Sequence, residues 1–126
     1  MKYIALFFTL SAALLFSGCQ STPPARINHV VVFWLKDHGN AAQRAKIIET
    51  SETFRKIPGV ISVSAGPCIP SVRPIVDSTF DVAVTLTFAS QADLQRYVEH
   101  PLHKAAVGGV LKPIVKKTTV YDFGVP

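Results

Sequence analysis

The chain has 126 residues, of which 48% are apolar and 17% charged, with a formal net charge of +5. That length holds one domain and not two, and the composition excludes a disordered, collagen-like or coiled-coil chain. Two cysteines exclude a disulfide-rich scaffold, and the basic excess is spread along the chain, which excludes a nucleic-acid stripe.

The first segment reads as an address. Lys2 gives a positive start, and Ile4 to Phe16 is an apolar run broken only by Thr9 and Ser11. A permanent membrane helix needs about 20 apolar residues, so this shorter run reads as the core of a signal peptide over residues 1–18. Leu15-Phe16-Ser17-Gly18-Cys19 resembles the cleavage box of bacterial lipoproteins, in which a thiol preceded by small residues accepts a diacylglycerol. The resemblance implies a mature chain beginning at Cys19 and a lipid anchor there, so that the protein is held to a membrane without spanning it. Gln20, standing where an Asp would hold a Gram-negative lipoprotein at the inner membrane, implies the periplasmic side of the outer membrane. Residues 19–26 are polar and proline-rich and read as a tether, leaving residues 27–126 as the folded domain. With Cys19 lipidated, Cys68 has no intrachain partner.

Ile27 to Lys36 is rich in β-branched and aromatic residues and reads as a strand that is apolar on both faces. Asn40, with Gln43 three residues on, predicts a capped helix over Ala41 to Lys56 that buries Ile47, Ile48, Ser51 and Phe54, and Pro58-Gly59 stops it. Val60 to Ala65 alternates as a second strand. Gly66 to Ser78 contains three prolines and reads as a loop. Thr79 to Phe88 predicts a third strand, with Phe80, Val82, Val84, Leu86 and Phe88 on one face and Asp81, Ala83, Thr85 and Thr87 on the other. Ser90 with Asp93 opens a helix that Pro101 ends. Leu102 to Pro113 is a mixed segment that Gly108-Gly109 interrupts, and Lys116 to Phe123 is the last strand.

The order βαββαβ predicts an α+β, ferredoxin-like antiparallel sheet with both helices on one face. The other face then carries Val30, Val32 and Trp34 with no cover from the chain itself. Each such side chain is worth about 1.5–3 kcal/mol when fully buried, so the expected cover is a second copy, sheet against sheet.

Three segments resemble the stress-responsive A/B barrel (Dabb) family. They are Ile27 to Lys36, Phe80 to Phe88, and Leu94 to His103 with its Tyr97-x-x-His100-Pro101-x-His103 signature. Tyr121-Asp122-Phe123 also fits, so the resemblance runs from Ile27 to Val125. It implies a homodimer whose two sheets form an α/β barrel. It also implies a cleft between sheet and helices, which a plant branch of the family uses as a cofactor-independent polyketide cyclase. Carried over, the acid–base pair of that branch falls on Tyr97 and His103, and a cleft histidine falls on His29. The cleft expected here is lined by His29, Phe33, Val82, Val84 and His100 beside Tyr97 and His103. The loop Gly66 to Ser78, with Cys68 and Arg73, departs from the family, and an envelope address sets the protein apart from polyketide chemistry.

An imidazole titrating near about 6.5 can exchange a proton at neutral pH, and a phenol near about 10 can hydrogen-bond a carbonyl. The same residues also suit a helix end, with His100 and His103 bonding backbone carbonyls. His100-x-x-His103 offers two metal ligands where zinc takes three or four, so no metal is expected. No phosphate loop, Gly-x-Ser-x-Gly or Cys-x-x-Cys motif occurs, and no cofactor is expected. Lys112, Lys116 and Lys117 have no interleaved aromatics, so no nucleic-acid partner is expected. The leading expectation is a lipid-anchored domain that binds a small apolar molecule. The competing ones are a cofactor-free proton-transfer enzyme using His103 and Tyr97, and a structural envelope protein.

Overall fold

A computed structural model describes residues 26–126. The expected signal peptide, the expected lipidation site at Cys19 and the expected tether as far as Ala25 lie outside the described residues. Arg26, expected in the tether, instead opens the first strand. The elements are β1 (Arg26–Leu35), α1 (Ala41–Glu52) with a 3-10 turn (Thr53–Lys56), β2 (Val60–Pro67), β3 (Val82–Phe88), α2 (Gln91–Glu99), α3 (Pro101–Ala106), a π-helical turn (Val107–Leu111), α4 (Lys112–Ile114) and β4 (Val115–Val125).

The four strands form one antiparallel sheet in the order β2-β3-β1-β4. This is the ferredoxin-like arrangement, with the most apolar strand, β1, inside the sheet. Strand alternation sends Val31, Phe33 and Leu35 to the helix side, where they meet Val82, Val84, Leu86 and Phe88 of β3 and Ile47, Phe54 and Tyr97 from the helices. Local chemistry sets the helix ends. The Asn40 side chain accepts from the Gln43 N–H at 2.9 Å, and the Ser90 hydroxyl accepts from the Asp93 N–H at 3.1 Å. Gly59 sits at φ +92°, and a Cβ there would lie 2.5 Å from the Asp93 carboxylate. The turn before β2 therefore needs glycine for both conformation and space.

Two expectations change at the start of β3. The strand begins at Val82, not Thr79, and Phe80 turns to the opposite sheet face, edge-on to Trp34 at 6.4 Å. Asp81, expected on the face shared with Ala83, Thr85 and Thr87, is 1% exposed. Its carboxylate accepts from the Leu35 N–H at 2.8 Å, the Gly39 N–H at 2.7 Å and His38 Nδ1 at 3.0 Å. Those donors draw the side chain in and reverse the alternation expected of a straight strand.

Gly108-Gly109 does not break the segment after Pro101. It widens the helix into the π-helical turn, and helical structure continues to Ile114. No helix among the described residues is long and apolar enough to cross a membrane.

The face away from the helices is apolar in one half only. Val30, Val32 and Trp34 of β1 lie beside Tyr121 and Phe123 of β4, which are 59% and 49% exposed. Ala83, Thr85 and Thr87 of β3 lie beside Ser62, Ser64 and Gly66 of β2, a surface of small residues. Part of the Trp34 edge is covered by the chain. Its indole N–H donates to Thr79 Oγ1 at 2.9 Å, and Lys117 Nζ lies 4.2 Å above the ring centroid.

Candidate functional site

A cavity of about 350 Å³ lies between the helix side of the sheet and the helices. Val31, Phe33, Val84 and Leu86 of the sheet line it on one side, and Ile47, Phe54, Tyr97, His103 and Ala106 of the helical segments on the other. This volume falls within the usual range for small-molecule pockets, about 300–1,000 Å³, and the lining is mostly apolar.

His29, Tyr97 and His103 converge at one end. Tyr97 is 2% exposed and is ringed by Phe54, Phe88, His29 and His103, with ring centroids at 5.4, 5.2, 5.8 and 4.4 Å. Proline sets the position of His103. The residue before Pro101 is held extended, with His100 at ψ 136°, so α2 ends and α3 starts in a new direction. The turn folds His103 back over α2, where its Nδ1 lies 3.1 Å from the Val98 carbonyl. A carbonyl only accepts, so Nδ1 carries the proton and Nε2 keeps a lone pair. His29 Nδ1 lies 2.6 Å from Asp122 Oδ1 and donates to that carboxylate, which fixes the orientation of the ring.

Burial disfavours charge at this end. It pushes the Tyr97 phenol well above its ordinary value, which keeps the hydroxyl protonated as a donor. Burial also pushes His103 below its ordinary value; the Val98 carbonyl opposes this, and the nearby His29 adds to it. His103 is therefore a neutral imidazole at pH 7. A neutral base beside a protonated phenol in an apolar cavity is an arrangement suited to moving a proton at a substrate whose oxygen accepts from Tyr97.

The structure brings His29, Phe33, Val84, Tyr97 and His103 together around the cavity. Val82 and His100 do not line it. Val82 is fully buried in the core beside Phe33, and the His100 ring caps α3, accepting from the Leu102 N–H at 3.1 Å. Sequence reasoning gave no site role to Asp122, which orients His29, or to Phe54, which stacks against both Tyr97 and His103. Cys68 is half-buried, and no group of three or more potential metal ligands occurs among the described residues.

The family model of the stress-responsive A/B barrel domain matches residues 27–125. A Dabb-family protein with a ferredoxin-like fold from Mesorhizobium loti is 28% identical, with a TM-score of 0.65, over 81% of this chain and 97% of that one. A dimeric ferredoxin-like protein of unknown function from Bacteroides fragilis is 22% identical, with a TM-score of 0.64, over 79% of this chain and 95% of that one. The hydroxynitrile lyase of Passiflora edulis is 22% identical, with a TM-score of 0.66, over 82% of this chain and 96% of that one. Comparison with curated protein sequences finds no match. With the sheet order, the Tyr-x-x-His-Pro-x-His turn and a family match over nearly all the described residues in agreement, the chain belongs to the stress-responsive A/B barrel (Dabb) family.

Proposed function

We propose that this domain binds a small, mainly apolar molecule in the cavity between sheet and helices, as a homodimer tied to the bacterial envelope by lipid on Cys19. The observation that carries the binding reading is the cavity itself: a mostly apolar space whose Tyr97, His103 and His29 gather at one end. Apolar walls supply affinity through burial, and a few convergent polar groups fix orientation. Dimeric relatives of the same fold, and the apolar half of the outer sheet face, support the homodimer. The cleavage-box resemblance around Cys19 supports the anchor, and Cys19→Ser is expected to move the protein from the membrane to the soluble fraction on cell fractionation.

Mass spectrometry of solvent extracts of the purified protein tests the binding reading. The expected result is a small apolar compound that is absent from Val84→Trp, whose indole fills the cavity. An extract free of any ligand, together with no change in cavity-dependent binding of apolar probes, overturns it.

The geometry around His103 favours a second reading, cofactor-free proton transfer. The likeness to a hydroxynitrile lyase suggests a substrate for the test. In hydroxynitrile cleavage a base takes the hydroxyl proton while the carbon–cyanide bond breaks, releasing cyanide and leaving a carbonyl. With an aromatic hydroxynitrile as probe, His103→Ala is expected to lower turnover by about 10²-fold or more. Because the His103 pKa lies below the ordinary imidazole value, the rate falls toward acid pH with its midpoint below about 6.5. Equal rates for wild type, His103→Ala and Tyr97→Phe exclude the enzyme reading.

A further inference from the structure

The cavity has a second polar end. The β1–β4 register places His29 opposite Asp122, Phe33 opposite Thr118 and Leu35 opposite Val115. At roughly 3.3 Å per residue, Leu35 and Val115 lie about 20 Å along the sheet from the His29 end. Lys112 and Lys116, which flank Val115 in the chain, line the cavity there. Among the described residues, no aspartate or glutamate lines it and neither lysine forms an ion pair.

Two nearby cations are already committed. Lys117 Nζ sits over the Trp34 ring on the other sheet face. Lys36 Nζ donates to the carbonyls of Lys112 and Pro113 at 3.0 and 2.9 Å. Helix C-terminal carbonyls repel an anion. Lys36 offsets that repulsion and leaves Lys112 and Lys116 free to act on whatever enters.

We infer that the ligand is a carboxylate-bearing amphiphile, with its carboxylate at Lys112 and Lys116 and its apolar body along Phe33, Ile47 and Phe54 toward Tyr97 and His103. This rests on the cavity-binding reading and names the chemical class of the molecule bound. The lysines stay hydrated at the cavity mouth, where charge attraction costs little desolvation, while the hydrocarbon gains its affinity inside.

Titration calorimetry with octanoate and 1-octanol, against the purified full chain and a Lys112→Gln/Lys116→Gln variant, tests it. Octanoate is expected to bind about fivefold tighter than 1-octanol, a preference that shrinks as salt rises. The double variant is expected to lose that preference and to keep its affinity for 1-octanol. Equal affinities in the wild type overturn the inference and leave the cavity-binding reading standing. A preference for octanoate that survives the double substitution also overturns it, since the anion site is then elsewhere. Binding of neither probe overturns this inference and the cavity-binding reading together.

Discussion

Replacing Asp81 by Ala is expected to lower stability by about 3–5 kcal/mol, because two backbone N–H groups lose a carboxylate acceptor and each costs about 1–3 kcal/mol when left unsatisfied. The carboxylate joins three parts of the chain: the end of β1 through Leu35, the turn before α1 through Gly39 and His38, and the entry to β3. Removing it strands the N–H of Leu35, a residue with no exposed surface, and frees the turn from which α1 starts. For a domain of this size each kcal/mol shifts the midpoint by about 4–8 °C, so thermal unfolding should show a loss of about 15 °C or more. Asp81→Asn keeps one accepting oxygen but points an amide N–H at other donors, so its loss should be intermediate.

The pH dependence of this loss has a defined sign. Burial alone pushes the Asp81 carboxyl up, but the N–H groups of Leu35 and Gly39 and the ring of His38 outweigh it and hold it below the ordinary carboxylate value. A depressed folded pKa gives stability that is fully present above the unfolded value, about 3.9, and is lost as pH falls through the folded one. The gap in unfolding temperature between wild type and Asp81→Ala should therefore be constant from pH 8 to about 4.5 and narrow only at lower pH. A gap that narrows already between pH 8 and 6 contradicts this account of the cluster.

The contrast between Asp81 and the helix caps shows which parts of this fold are local. Asn40 with Gln43, and Ser90 with Asp93, are pairs three residues apart, and each is visible as a string of letters. The same holds for β1, whose apolar residues suit a strand flanked on both sides. Phe80 and Asp81 follow the period of a strand in sequence, and the period fails because donors 42 to 46 residues away capture the carboxylate. The π-helical turn is hidden for a related reason. Two glycines suggest a break, but the last turns are held in place by the β4 junction, where the Lys36 N–H donates to the Ile114 carbonyl at 2.8 Å.

The candidate site divides along the same line. The proline turn that folds His103 over Tyr97 lies within one heptapeptide and is legible. The His29–Asp122 pair spans 93 residues and depends on the β1–β4 register, which strand composition alone does not specify. A histidine one turn from Tyr97 suits either a cleft or a helix end, and His100 takes the second role because the Pro101 turn exposes the Leu102 N–H for it to cap.

Val32→Glu is expected to separate the proposed homodimer. Val32 lies on β1 between Ala83 of β3 and Thr119 of β4, near the centre of the face that points away from the helices. An isologous interface carries every substitution twice, so two carboxylates enter the same apolar interface. Each uncompensated buried charge costs about 2–5 kcal/mol, so two of them should raise the dissociation constant by about 10³-fold or more. Sedimentation velocity at micromolar protein should show the wild type at twice the mass of the variant. The helix-side core does not include Val32, so the variant's far-ultraviolet circular dichroism should match that of the wild type. Val32→Ser, which removes apolar contact without adding charge, should weaken association less. If Val32→Glu sediments as a dimer, the copies meet elsewhere, and Tyr121 and Phe123 on the same face need a different cover.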